Sequence, residues 1–232
     1  MYILTLLIFP CLEYTQNYIF NNYNDKVRIK LMFNFISALH CIGYLFLTLG
    51  YFNTKNDSLF KLSCIYSMSY YIWDTLRIYF RKDYDNYIYI YHHLVALLIL
   101  EHFLVYGLYL RISLVLYKSF ILAEISNIPT FYVYYLLKKY PTYQSDVKMF
   151  YKLLFYKIIQ IFLYFAIRCI GFSYILYTDS QFLNMDNFTN SIRNLGLLSI
   201  YMLGIIWSCK QGLLLKNELY KYKLLSNKIK NN

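Results

Sequence analysis

The stretch Tyr91–His102, YHHLVALLILEH, sets two adjacent histidines and a closing Glu-His pair around seven aliphatic residues. Extended outward, the apolar run covers Tyr87 to Leu108, close to the 20 or so residues that a helix needs to cross hydrocarbon. An ionisable side chain in that environment costs on the order of 3 kcal/mol, so each one calls for a partner, a water-filled cavity or a function. The reading of this stretch decides the fold: a membrane helix that carries chemistry, rather than a strand or helix of a water-soluble core.

The rest of the 232-residue chain has the same character. Hydrophobic residues make up 59% and charged ones 15%, and comparable apolar runs recur throughout, more than one water-surrounded core could hide. The sequence predicts an all-α, polytopic membrane helix bundle around a lipid-accessible cavity. Its seven candidate spans are Tyr2–Phe20, Ile29–Tyr51, Leu59–Phe80, Tyr87–Leu108, Ile112–Leu137, Met149–Tyr177 and Ile192–Leu215. The first holds Pro10 and Glu13 and has a short apolar part, so six spans are also possible. Without a basic leader or a small-residue cleavage site, MYILTLLIFPCLEY is expected to be a retained first span or anchor. The chain thus divides into a first span and basic connector (1–28), a transmembrane domain (29–215) and a basic tail (216–232).

The net charge of +11 is spread over short connectors and the tail, with no continuous basic domain, which argues against nucleic acid as a partner. Short basic connectors stay on the cytosolic side during insertion. Lys26, Arg28 and Lys30, then Arg81 and Lys82, then Lys138, Lys139 and Lys148, and finally the lysine-rich tail all fall on one side. The expected topology has a lumenal N-terminus and a cytosolic C-terminus. Two glycosylation acceptor tripeptides, Asn56-Asp57-Ser58 and Asn187-Phe188-Thr189, fall in connectors placed on the lumenal side. The terminal KIKNN either resembles a retrieval signal of the endoplasmic reticulum or is an accident of a lysine- and asparagine-rich tail. The abundant Tyr and Phe follow from an A/T-rich coding bias and carry little functional weight. Cys11, Cys41, Cys64, Cys169 and Cys209 stand singly in apolar runs, as small buried hydrophobes would, with no spacing for zinc or a disulfide framework.

Depth selects which ionisable groups can meet. Asp74 lies six residues before the end of the third span and His92 and His93 five or six residues into the fourth, each roughly 9 Å deep at 1.5 Å per residue. A carboxylate beside an imidazole fixes its tautomer and supports its protonated form, as a general base requires. Adjacent helical histidines point about 100° apart, so one can face Asp74 while the other faces a substrate channel. The alternative pairs Asp74 with Arg77, one turn on, and leaves the histidines to tyrosines such as Tyr70, Tyr71 or Tyr89. At the other end, Glu101 and Lys118 share a level and are expected to form a buried, helix-orienting ion pair, with Arg168 serving the same cluster. His40 is expected to be a satisfied core histidine. Four histidines without i,i+4 carboxylates make no metal site. In FILAEISNIPTF, Phe120–Phe131, Glu124 and Asn127 share a face, and Pro129 is expected to kink the helix and help form a polar pocket wall.

SYYIWD, YHH and AEISNIP on successive membrane helices together resemble the TLC domain, the family that includes ceramide synthases, over roughly Ile29 to Leu215. The resemblance implies a helix bundle around a lipid-chain cavity, an endoplasmic reticulum or other internal membrane, and Asp74, His92 and His93 near a cytosolic entrance. In ceramide synthases the paired histidines serve transfer of an acyl group from acyl-coenzyme A to a sphingoid amine. On that analogy His92 or His93 is base or acyl acceptor, Asp74 its orienter, and Tyr71, Glu124, Ser126 and Asn127 the lipid-binding groups. The synthases carry a His-Asp-x-Ser-Asp segment on the following helix, where this chain reads LYKSFILAEISNIPTF without an aspartate. The resemblance is therefore closer to non-synthase members, which bind, move or regulate membrane lipid, whether sphingolipid, fatty acyl chain or phospholipid. Acyl-coenzyme A enters only as a possible substrate, no cofactor is assigned, and the oligomeric state is open.

Overall fold

The computed structural model describes residues 2–20, 25–81, 87–108, 111–140, 147–178 and 188–230. Lys82, Asn187 and the closing Asn231-Asn232 of KIKNN lie outside the described residues. All secondary structure among the described residues is helical: α1 (Tyr2–Ile19), α2 (Asp25–Thr54), α3 (Asp57–Phe80), α4 (Tyr87–Tyr106), α5 (Arg111–Lys139), α6 (Val147–Phe165), a π-helical segment (Ala166–Gly171), α7 (Phe172–Thr178) and α8 (Phe188–Lys230).

Among the described residues, five stretches are long and apolar enough to cross a membrane: Val27–Thr54, Tyr87–Tyr106, Ser113–Lys139, Lys148–Thr178 and Asn194–Tyr220. Only 28–39% of each apolar window is buried inside the bundle. The remainder, including Phe46 at 76% and Phe162 at 67% exposure, faces outward, and hydrocarbon is the solvent that tolerates such a surface. The chain is therefore an integral, multi-pass membrane protein. The count differs from the seven expected because α1 and α3 are diluted by polar residues: Glu13, Gln16 and Asn17 in α1, and Ser63, Ser67, Ser69, Asp74 and Arg77 in α3. In α3 the three serines and Asp74 are buried, so the polarity turns inward.

Helix α2 runs antiparallel to α3 and to α5, as the contacts show. Ser37 meets Tyr70 and His40 meets Ser67 between α2 and α3; Asn34 reaches the Phe131 carbonyl and Thr48 meets Tyr117 between α2 and α5. Gln160 reaches Thr130 between α5 and α6, and Tyr89 stacks on Trp207 between α4 and α8. An aromatic layer of Tyr51, Phe60, Phe103 and Tyr117 fills the end where α2 turns into α3. That turn is tight: Lys55 takes a left-handed φ of 54°, and Asn56 caps α3 by accepting the Ser58 N–H at 2.9 Å. Helix α1 packs on α2 and α3, with Phe9 completely buried among His40, Tyr66, Tyr70 and Trp73. Helix α5 continues through Pro129 to Lys139.

Helices α2 and α3 pack tightly at Gly43, where an added Cβ would stand 2.6 Å from the Tyr66 hydroxyl oxygen and 2.8 Å from Cζ. Tyr66 cannot swing away freely, because its hydroxyl donates to the Leu39 carbonyl at 3.1 Å. Gly43→Ala is expected to cost about 1–3 kcal/mol through overpacking. A lowered thermal midpoint in detergent checks this, and an unchanged one would show that Tyr66 relocates without loss.

Candidate functional site

Polar residues of α3, α4 and α5 converge where the bundle has its basic connectors, and they form two linked groups. In the first, Asp74 is 6% exposed and accepts from Arg77 Nε at 2.7 Å, with a second guanidinium nitrogen at 2.6 Å. The i,i+3 spacing on one helix makes this pairing possible, and the Arg77 guanidinium also lies 3.7 Å from the Phe33 ring centre, a cation–π contact. The second Asp74 oxygen is 3.6 Å from His93 Nε2, and His93 Nδ1 lies 3.2 Å from Thr75 Oγ1. Asp74 thus faces both groups that the sequence offered it, with the tighter geometry going to Arg77. Glu13 of α1 closes this end by accepting from Trp73 Nε1 at 3.2 Å and Arg81 at 2.7 Å.

The second group surrounds a small cavity, with room for about one water molecule, lined by Tyr71 of α3, His92 and Ile99 of α4, Leu116, Ser119, Phe120, Ala123 and Glu124 of α5, Phe172 of α7, and Leu197 and Ile200 of α8. Its walls are mostly aliphatic and aromatic, with polar groups held at a few points. The Tyr71 hydroxyl donates to Glu124 Oε1 at 2.7 Å, and the carbonyl of Glu124 accepts from Cys41 Sγ at 2.9 Å. His92 Nδ1 and Ser119 Oγ are buried and have no hydrogen-bond partner. The two histidines therefore diverge as helical geometry requires: His93 turns toward Asp74, while His92 lines the cavity with its ring 5.9 Å from that of Trp207 on α8.

Ser126 and Asn127 do not line the cavity. They hold Arg168, which is 2% exposed: its Nε donates to Ser126 Oγ at 2.8 Å, and Nη2 donates to the Ala123 carbonyl at 3.0 Å and to Asn127 Oδ1 at 3.2 Å. Arg168 sits in the π-helical segment, whose extra residue per turn alters the direction in which its side chains project. Gly204 of α8 gives the arginine stem its space: a Cβ there would lie 3.3 Å from Arg168 Cβ. No spacing in the sequence announced the π turn, so the expectation that Arg168 joins Glu101 and His102 is corrected; its partners are on α5.

The expected buried Glu101–Lys118 pair is also corrected. Both residues are exposed and they form no ion pair. His102 is the inward group at that level and bonds Ser113 at 3.0 Å, leaving its neighbour Glu101, about 100° around the helix, to face out. His40 is held in the core, bonded to Ser67 at 2.8 Å and stacked on Tyr70 at 4.0 Å. Cys41 and Cys64 are buried, whereas Cys11 and Cys209 are exposed, so burial does not extend to all five thiols. Among the described residues no group of three His, Cys, Asp or Glu side chains is placed to hold a metal ion. Sequence reasoning missed Ser119 as a polar wall of the cavity. Its spacing from Glu124 gave no signal, since five residues along a helix turn a side chain about 140° away.

The chain matches no protein-family model, no curated protein and no solved structure.

Proposed function

We propose that this protein binds a membrane lipid within its helix bundle and so serves lipid trafficking or the regulation of membrane lipid composition. One observation carries the reading: a cavity with apolar walls has its polar atoms gathered on Tyr71, His92, Ser119 and Glu124, two of them buried without a partner. The order of SYYIWD, YHH and AEISNIP, which resembles non-synthase TLC-domain proteins, supports the same reading. In this proposal α1 and α3 cross the membrane with the other five spans. The basic connectors face the cytosol, the N-terminus is lumenal and the C-terminus cytosolic, and the membrane is that of the endoplasmic reticulum.

Acyl transfer of the ceramide synthase kind is less well supported, because the residue that Asp74 orients, His93, does not line the cavity, whereas His92 does. Mass spectrometry of lipid extracted from detergent-purified protein tests the proposal. One lipid class is expected to be enriched over the surrounding membrane, and His92→Ala is expected to reduce that enrichment. An extract with the composition of the bulk membrane overturns the proposal. Amide formation from acyl-coenzyme A and a sphingoid base, abolished by His93→Ala, would replace it with acyl transfer.

A further inference from the structure

Lipid suits most of the outward surface of α4, but not all of it. Tyr87, Tyr91, Leu94, Leu98, Glu101 and Val105 are exposed along the length of the helix, at spacings of four, three, four, three and four residues. That alternation averages about 3.5 residues and keeps all six on one line, the pattern of a seam between parallel helices. Five of the six are aliphatic or tyrosine side chains, at home among acyl chains and at their interface. Glu101 is not. It lies inside the span Tyr87–Tyr106, about 7.5 Å from its end, and no described residue forms an ion pair with it.

Lys118, the other outward charge at this depth, is differently placed. Side chains on a helix lean toward its N-terminus. Helix α5 starts at the end of the bundle where α4 stops, as the bond between His102 and Ser113 shows. Lys118 therefore leans toward the near surface, and its long, flexible stem carries the ammonium there. Glu101 leans the opposite way, toward the middle of the bilayer, on a shorter stem. Acyl chains offer a carboxyl group no hydrogen bond at that depth, so Glu101 calls for a partner in the membrane.

We propose that the outward face of α4 is the seam of a homodimer in the plane of the membrane, closed by Glu101 of one copy against Glu101 of the other. Two copies inserted the same way are related by a two-fold axis along the membrane normal, so α4 meets α4 in parallel and each residue of the stripe meets its own counterpart. That symmetry selects a second copy over an unrelated helix. Two carboxyl groups holding a proton between them donate and accept reciprocally, which makes Glu101 complementary to itself. The apolar layers on either side, Leu98 and Val105, enclose the pair. A single polar layer in such a seam also fixes its register. The seam lies on the outer surface and is independent of what the bundle binds inside.

The test uses the full-length, fluorophore-labelled protein in phosphatidylcholine vesicles at increasing dilution in lipid, with dimers counted by stepwise photobleaching. The wild type is expected to dimerise. Glu101→Ala is expected to need a roughly tenfold higher protein density to do so, the factor one interhelical hydrogen bond gives. Glu101→Gln, whose amide also donates and accepts, is expected to stay close to wild type. Glu101 is exposed, so both variants are expected to keep the wild-type thermal midpoint. Leu98→Cys is expected to give an oxidative cross-link between copies, whereas Phe162→Cys, exposed on α6, is expected to stay at the background of the native cysteines. A monomer at every dilution overturns the proposal, as does Glu101→Ala without effect or a cross-link through Phe162→Cys alone. A glutamine variant as weak as the alanine one overturns the carboxyl pair. Weakening by Lys118→Met equal to that by Glu101→Ala would pair Glu101 with the lysine of a neighbour and overturn the two-fold arrangement.

Discussion

Arg168→Ala is expected to lower the thermal midpoint of the detergent-solubilised protein by on the order of 10 °C. Each buried acceptor left unsatisfied costs about 1–3 kcal/mol, and about 1 kcal/mol corresponds to roughly 2–4 °C in a chain of this size. The loss has two sources. Ser126 Oγ, Asn127 Oδ1 and the Ala123 carbonyl lose their guanidinium donor. The volume of the largest fully buried side chain empties between α5, the π-helical segment and α8. Against this, the variant relieves the cost of holding a cation in the bundle, about 3 kcal/mol on insertion scales. Arg168→Met separates the contributions, since it keeps much of the volume while removing the charge. It is expected to fall between wild type and Arg168→Ala, and a methionine variant as unstable as the alanine one would assign the whole effect to the lost hydrogen bonds.

The second large effect is expected at Asp74. Asp74→Ala leaves the Arg77 guanidinium, whose side chain is 13% exposed, without its carboxylate, again at a cost of about 3–5 kcal/mol. Adding Arg77→Met is expected to recover most of that loss, because replacing a buried pair on both sides with apolar groups is often close to neutral. The recovery would be of stability alone. His93 loses its contact with the second Asp74 oxygen in both variants, so any reduction in bound lipid that persists in the double variant measures the orienting role of Asp74 separately from its structural one. Full recovery of both stability and bound lipid would show that Asp74 serves only to neutralise Arg77.

Much of the architecture could be read from the chain because hydrophobic length is a direct consequence of bilayer thickness. The five spans that qualify by length and composition all coincide with expected ones. Depth reasoning also placed Asp74 and the histidine pair at one level, since rise per residue is fixed in a helix. Depth alone, however, leaves the direction around the helix undetermined, and the Glu101–Lys118 expectation failed there. The answer was present in the periodicity of α4: Val95, Ala96, Ile99 and Phe103 are buried at helical spacing, which turns His102 inward and Glu101 outward. Glu13, which looked like a flaw in a first span, is held by Trp73 and Arg81 from 60 and 68 positions away, and nothing local could reveal that. Arg168 was the least legible of all, because a single π turn between α6 and α7 redirects the side chain without changing the composition of the segment.

The placement of the Arg168 partners has a consequence for biosynthesis. Ser126, Asn127 and Ala123 all precede the arginine in the chain, as Tyr71 and Cys41 precede Glu124. When the nascent segment bearing either charge leaves the ribosome and moves sideways out of the translocon, the groups that shelter it are already in the bilayer. Neither side chain has to wait in lipid for a later helix, so vectorial synthesis itself spares the polytopic chain an exposed charge at its most vulnerable stage.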